Sequence, residues 1–305
     1  MKNQRTKELK DQRTEGPKNE KTKNKLLRFL TAAIFIFTQL NPAWAALTTH
    51  SVDADFAGPK LRLSNTDTPP AVKLESYYQE APADQYTAGL WHFDGNANDS
   101  SGKSHNGTLV DTATVSGATQ FMGNVLALDG TGDYMSLLDS EDWNFGSGSF
   151  SVDFWVKFNA LPTAGDFEIL YEQKDGPGGT QLAFILVNNT GTLGYKVFME
   201  IGNSPLLNFT KNTSLITNQW YHIALMRNDK NWMIFQDGVQ VGTTEINSSN
   251  VPNVDQTVLI GETRSGGYTL NGYIDEYRIL KGRALTPEEI KAAASRRPYA
   301  VYTSP

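Results

Sequence analysis

The chain has 305 residues, with 27 Lys and Arg against 33 Asp and Glu, no cysteine, and a hydrophobic content of 39%. The absence of cysteine excludes a disulfide framework, a Cys-ligated zinc site and a thiol nucleophile. With 11% aromatic and only 20% charged residues, the composition predicts a folded body with a buried core rather than a disordered chain.

The N-terminal segment has the layout of a secretory signal. Ten Lys and Arg lie within residues 1–28, an uncharged apolar run follows at residues 29–40, and small residues stand at Ala43 and Ala45. This order predicts a signal peptide over residues 1–45 that is cleaved after Ala45. The apolar run is shorter than the roughly 20 residues that a membrane span needs. We therefore expect no membrane span after cleavage and an extracellular or periplasmic location; the alternative is an uncleaved anchor.

Cleavage would leave an acidic body. It would keep 17 of the 27 basic and 29 of the 33 acidic side chains, and therefore a net charge of −12. Such a surface repels phosphate backbones, so we expect no nucleic-acid partner, whereas a hard cation such as calcium suits it.

The rest of the chain divides into three segments that differ in composition and hydrophobic pattern. Residues 46–86 contain four prolines and no sustained periodicity, which indicates a linker or loosely ordered lead-in. From residue 87 to 294, short runs rich in Val, Ile, Phe, Tyr and Trp recur between Gly, Asn, Asp and Ser clusters, a pattern typical of an all-β sandwich. Residues 295–305 form a tail without a closing element, so the chain is either a fragment of a longer protein or ends in an ordinary frayed tail.

The predicted elements, in chain order, are strands over Gly89–Phe93, Val125–Leu128, Tyr134–Leu138, Ser149–Phe158, Phe167–Gln173, Gln181–Val187, Gly194–Ile201, Trp220–Arg227, Trp232–Gln236, Val239–Gly242, Thr257–Gly261 and Leu270–Leu280, and a helix over Pro287–Ser295. In Ser149–Phe158, alternate residues from Phe150 to Phe158 are apolar, which predicts one core-facing side. Asp237-Gly238 predicts a tight hairpin turn, and Thr286 is the predicted N-cap of the helix.

The last long strand carries an irregularity. Ile274, Tyr277 and Ile279 are spaced so that they break the alternation of a regular strand. A bulge at Asp275-Glu276 would restore one apolar face, and bulges redirect the side chains that they contain.

Six ordered motifs carry a family resemblance: GLWHFDGNANDSSGKSHNGTL (Gly89–Leu109), LALDGTGDYMSL (Leu126–Leu137), GSFSVDFWVKF (Gly148–Phe158), QWYHIALMRN (Gln219–Asn228), MIFQDGVQVG (Met233–Gly242) and LNGYIDEYRILKGRALTPEEI (Leu270–Ile290). Together they resemble the laminin-G-like domains of the concanavalin A-like lectin/glucanase superfamily over roughly residues 87–294. The resemblance implies an antiparallel two-sheet jelly-roll, usually secreted, often calcium-binding, and binding glycans or proteins in different members. One fold carries many functions, so the resemblance does not assign one.

The resemblance also implies a structural calcium site. In the related domains an aspartate of the final strand ligates the ion, and that residue here is Asp275. Because calcium takes six to eight oxygen ligands, we expect partners from elsewhere in the chain: Asp94 and Asn96, with Asp129 and the backbone of Gly130 behind them. The alternative is that Asp275 caps the bulge by accepting hydrogen bonds from backbone amides.

Exposed aromatic side chains on a sheet could bind sugar. The non-core side of Ser149–Phe158 presents Asp153 and Trp155, and an aromatic ring there can stack on a sugar while polar neighbours bond its hydroxyls. Trp143 and Tyr268, in loops, are further candidate contacts. The alternatives are that a loop covers Trp155 and that Trp143 or Tyr268 plugs one end of the sandwich.

The sequence argues against catalysis. The superfamily that the chain resembles includes laminarinase-type glucanases. These enzymes place acidic residues at alternate positions of one strand, so that the carboxylates share a face. The nearest run here is Glu168–Glu172, with Leu170 where those enzymes have Asp. We interpret Glu168 and Glu172 as two solvated strand carboxylates and expect no enzyme.

Together these features predict an all-β jelly-roll with a short C-terminal helix that acts as a secreted or cell-surface binding or adhesion module. We expect it to bind carbohydrate, to hold a structural calcium, and to be a monomer with a glycan or cell-surface protein as partner. The alternative is a structural or protein-interaction domain without glycan binding. A glycoside hydrolase is the least favoured function.

Overall fold

The structure, a computed structural model, describes residues 83–117 and 123–295, and the backbone of residues 62–63 and 72–73. The predicted signal peptide with its cleavage site, nearly all of the predicted linker, and the tail from residue 296 lie outside the described residues, so those boundaries stay predictions. Within the described ranges, no helix is long and apolar enough to cross a membrane.

The strands of the described residues are Arg62–Leu63 (β1), Val72–Lys73 (β2), Thr87–Trp91 (β3), Thr108–Val110 (β4), Thr114–Ser116 (β5), Val125–Asp129 (β6), Tyr134–Leu137 (β7), Phe150–Phe158 (β8), Phe167–Lys174 (β9), Gln181–Asn189 (β10), Thr192–Ile201 (β11), Ser204–Asn212 (β12), Trp220–Asn228 (β13), Asn231–Gln236 (β14), Val239–Gln240 (β15), Glu245–Ile246 (β16), Val258–Ile260 (β17) and Asn271–Lys281 (β18). The helices are a 3-10 turn at Glu141–Trp143 and an α-helix at Pro287–Ala294 (α1).

Every run predicted as a strand is a strand, with ends within two residues of the prediction. The long strand that the sequence pattern missed is β12, which pairs only with β11 at the edge of its sheet. Its second residue is Pro205. Proline is tolerated on edge strands because one side of such a strand forms no ladder hydrogen bonds. Because proline usually argues against a strand, Pro205 explains why the sequence pattern did not predict β12.

Two antiparallel sheets face each other, which confirms the predicted jelly-roll sandwich. The seven-stranded sheet has the order β12-β11-β10-β9-β17-β7-β4. The second sheet has the order β15-β14-β13-β8-β18-β6-β5, with β16 beside β14 and β3 beside β18. β1 pairs only with β2.

The core lies between the sheets. The alternate residues of β8 from Phe150 to Phe158 are all buried there, as predicted, and they share one cluster with Phe184 and Leu186 from the opposite sheet. Phe154 stacks on Tyr277 with ring centroids 5.0 Å apart. Burying one apolar face of each sheet against the other is what holds a sandwich together.

The helix covers part of the outer face of the second sheet. Ile290 of α1 packs with Ala224 and Phe235 of that face. The helix begins as predicted: the Thr286 side chain accepts from the Glu289 backbone N–H, and the Glu289 carboxylate accepts from the Thr286 backbone N–H. This reciprocal capping satisfies two backbone donors that a helix start otherwise leaves open.

Two bulges matter for the sites below. The predicted bulge in β18 is present: the pairing with β8 shifts between Asp275 and Arg278, and Glu276 has a φ of 51°. Strands β6 and β3 pair with the same edge of β18, one on each side of this bulge. A second bulge, which the sequence pattern did not reveal, lies in β9 at Leu170.

Candidate functional site

A groove of about 370 Å³ opens on the outer face of the seven-stranded sheet. Its lining residues are Tyr134, Ser136, Thr257, Leu259, Glu262, Thr263, Arg264 and Gly266. Because Met135 and Val258 point into the core, their neighbours along β7 and β17 face outward and form the floor of the groove. The residues that follow β17 form its wall.

A buried carboxylate holds that wall in place. Glu172 of β9 lies beside Leu259 in the sheet. Its carboxylate accepts from Thr263 Oγ1 at 2.9 and 3.1 Å and from the Arg264 backbone N–H at 2.7 Å. Hydrogen bonds to a charged acceptor are stronger than those between neutral groups, so Glu172 fixes the loop over the sheet.

The groove combines opposite charges with hydroxyl groups. The Arg264 Nη2 donates to the carbonyl O and to Oγ1 of Thr257, at 3.1 and 2.6 Å. Glu262 lies on the same wall and accepts from the Gly267 backbone N–H at 3.3 Å. With the hydroxyls of Ser136 and Thr257, these groups can donate to and accept from a polyhydroxylated ligand.

Tyr268 lies on the same loop. The residue is 36% exposed, and its ring stacks on Phe167 with centroids 3.9 Å apart and planes at 14°. Of the aromatic contacts predicted from sequence, Tyr268 is the one that the structure leaves open to solvent near the groove wall.

The other predicted contact residues are buried. Trp155 is 1% exposed and packs against Val125, and Asp153 is also buried. Trp143 is 1% exposed, and its Nε1 donates to the Leu138 carbonyl at 2.9 Å. A buried side chain cannot contact a sugar from solution, so these three residues are not exposed as the sequence pattern predicted. Trp155 is covered by residues of neighbouring strands, Val125, Trp220 and Tyr273, rather than by a loop.

Asp153 belongs to a buried ion pair. Its two oxygens accept from Nε and Nη2 of Arg278, both at 2.9 Å, and His222 Nε2 lies 3.3 Å away. Burial opposes ionisation, but the charge of Arg278 and the bonds from Arg278 and His222 hold the pKa of Asp153 well below its ordinary value. This pair ties β8 to β18.

The residues expected to bind calcium are only partly brought together. Asp94 and Asn96 line a second cavity of about 260 Å³ with His92. The His92 Nδ1 lies 2.7 Å from Glu276 Oε1, so this cavity adjoins the bulge that contains Asp275. Asp275 Oδ1 accepts from the Glu276 backbone N–H at 2.9 Å, which is the capping role foreseen as the alternative.

Asp129 does not belong to that group. It pairs with Asn271, four residues along β18 from Asp275, a separation of roughly 13 Å at the rise of an extended strand. Its side chain accepts from Thr112 and from the Thr131 backbone N–H instead. Asp129 is therefore not placed beside Asp275. Within the described ranges, no three His, Asp or Glu side chains form a cluster that could hold a metal.

The glucanase-like run does not form a carboxylate pair. The bulge at Leu170 puts Glu168 in register with Leu186, on the core side, and Glu172 in register with Ala183, on the outer side. The two carboxylates therefore lie on opposite faces of the sheet, whereas a glycosidase needs both beside one bond. The prediction that they are solvated is wrong, because both are buried.

The chain was compared with known proteins. Residues 129–291 match the Laminin_G_3 family of the concanavalin A-like lectin/glucanases superfamily. No curated protein matches the chain.

Solved structures share the fold. Domain 4 of AbnA, a GH43 extracellular arabinanase from Geobacillus stearothermophilus, solved with arabinotriose, is 21% identical over 71% of this chain and 100% of that domain, with a TM-score of 0.55. The receptor binding domain of botulinum neurotoxin D (16%, TM-score 0.53) and the binding domain of Paraclostridial Mosquitocidal Protein 1 (15%, TM-score 0.52) match 69% and 68% of this chain. The chain spans about half the length of these two toxin domains, 52% of each. The family match covers more than half of the sequence, and the chain belongs to the concanavalin A-like lectin/glucanase superfamily.

Proposed function

We propose that this protein is a secreted or cell-surface binding module and that the groove beside β17 binds carbohydrate. The observation that carries the proposal is the groove itself, a cavity of about 370 Å³ walled by a fixed loop and lined by hydroxyls, a tyrosine, an arginine and a glutamate. Sugars present both hydroxyls and apolar ring faces, and such a mixed lining can satisfy both.

The structural neighbours support carbohydrate as the ligand class. The arabinanase domain was solved with arabinotriose. Botulinum neurotoxin type C depends on two ganglioside molecules for cell entry. These ligands are properties of those proteins. For this chain they favour a glycan over other small ligands, and the groove is the site that we propose for it.

One observation favours the alternative, a protein-interaction or structural role without glycan binding. Burial of Trp155 is what that role predicts for the outer face of β8. The two functions differ in whether a free glycan binds to the isolated protein, so one experiment separates them.

The test is a glycan-array screen of the purified protein in calcium, repeated in chelator. A Ser136→Tyr variant fills the floor of the groove without changing the core, because Ser136 lies on the outer face between core residues of β7. The matched control is Asn208→Tyr, which adds the same side chain at an exposed position of β12 in the same sheet. We expect binding by the wild type and Asn208→Tyr, and none by Ser136→Tyr. A blank array from the folded wild type would contradict the proposal and direct the search to a protein partner.

A further inference from the structure

The guanidinium of Arg264 lies in the groove wall and is held there from one side. Both contacts of its Nη2 are made by Thr257, through the carbonyl O and Oγ1. Among the described residues Nη1 donates to no acceptor, so that side of the group is available to a ligand. A cation that is already oriented loses less freedom when it binds.

Further observations concern the rest of the guanidinium. Its Nε is buried and has no hydrogen-bond partner among the described residues. The ion pairs of the described residues include Arg278 with Asp153 and Arg283 with Glu289, but none with Arg264. Glu172 bonds the backbone N–H of Arg264 rather than its guanidinium. No carboxylate among the described residues therefore forms an ion pair with Arg264, and an anionic ligand at Nη1 would supply one.

We propose that Arg264 recognises the carboxylate of an acidic sugar, a uronic or sialic acid, in this groove. The inference rests on the proposed function of the groove as a carbohydrate site. A carboxylate oxygen accepts a charge-assisted hydrogen bond from Nη1, while the hydroxyls of Ser136 and Thr257 meet ring hydroxyls. Glu262 on the same wall accepts O–H or N–H donors and repels additional negative charge. The site therefore favours a singly charged acidic sugar over a highly sulfated one.

The test compares each acid with its own methyl ester, which has nearly the same shape but no charge. Calorimetry on the purified protein uses sialyllactose and a galacturonic acid oligomer, each beside its ester, so that the two sources of a carboxylate are distinguished. We expect at least one acid to bind about tenfold or more tightly than its ester. Arg264→Gln should abolish this difference. Lys230→Gln removes the same charge at an exposed turn and should preserve it.

The outcomes separate this inference from the function on which it rests. Esters that bind as tightly as the acids would overturn the role of Arg264 and leave carbohydrate binding intact. A sulfated neutral sugar that binds as tightly as the acids would overturn the carboxylate assignment. Failure of the folded protein to bind any acidic or neutral sugar would overturn the proposed function itself. The ester comparison uses the wild type, so it tests the preference for a carboxylate even if Arg264→Gln does not fold.

Discussion

At the scale of one residue, the bulge in β9 buries the carboxyl group of Glu168 and changes its pKa. The bulge at Leu170 turns Glu168 toward the core, and its Oε2 has no hydrogen-bond partner among the described residues. Burial raises the pKa of Glu168 from 4.5 to about 8. Between those two values the folded state binds a proton that the unfolded state does not, so stability falls as the pH rises through this window.

The prediction is that Glu168→Gln removes this pH dependence. We expect the wild type to lose stability between pH 5 and pH 8 with a slope of up to roughly 1.4 kcal/mol per pH unit relative to the variant. Urea unfolding of both proteins at the two pH values measures the difference. Glu288→Gln, in the exposed first turn of α1, serves as the control and should titrate like the wild type. Equal pH slopes in wild type and Glu168→Gln would contradict the buried position of this group.

At the scale of an element, the groove depends on how the loop after β17 is tied down. The Glu172 carboxylate bonds both Thr263 and the Arg264 backbone N–H, and Tyr268 stacks on Phe167. A loop held by these few contacts opens separately from the sheets when one of them is lost.

We expect Glu172→Gln to loosen this loop, because an amide offers one acceptor oxygen and no charge. The expected cost is about 1–3 kcal/mol in the free energy of unfolding, with faster hydrogen exchange at residues 263–267. Glu200→Gln is the matched control: Glu200 is also a buried strand carboxylate and accepts from Gln181, but two strands away on β11. It should lower stability without changing exchange in the loop. Unaltered loop protection in Glu172→Gln would show that other contacts hold the wall.

At the scale of the whole molecule, β18 organises the second sheet. It pairs with β8 on one edge, and with β6 and β3 in succession on the other. The cavity of Asp94 and Asn96 lies where the chain leaves β3, and His92 joins it to Glu276 in the bulge. A cation bound there would tie the start of the domain to its last strand.

The calcium prediction can therefore be tested by comparing a substitution beside this cavity with one away from it. Calcium that binds only the folded state raises the melting temperature, so excess chelator should lower it. Asp275→Asn should abolish the calcium shift, and its side-chain oxygen can still accept from the Glu276 N–H. Asp129→Asn, which lies away from the cavity, should leave the shift unchanged. An unchanged melting temperature in chelator, with no metal found by elemental analysis, would contradict the calcium prediction.

Local patterns in the sequence predict much of this architecture because they reflect local chemistry. The apolar alternation of β8 predicts its core face, Thr286 with Glu289 predicts the helix start, and the broken alternation around Asp275 predicts the bulge. Each of these depends on backbone geometry and on side chains a few residues apart. The family resemblance extends the same information to the two-sheet fold.

The candidate site could not be predicted from local patterns, because its residues are brought together only by pairing between strands that are far apart in the chain. Tyr134 and Arg264 line one groove although 130 residues separate them in the chain. Trp155 has the alternation of an exposed side chain, yet residues of neighbouring strands bury it.

The sequence by itself determined most of the strands but not β12, and it determined the core face of β8, the capped helix and the bulge of β18. The tertiary structure decided which outward-facing residues remain in solvent, which carboxylates share a face, and where the groove forms. The physical reason is that periodicity records the direction of a side chain relative to its own strand, whereas burial depends on what packs over it from elsewhere in the chain.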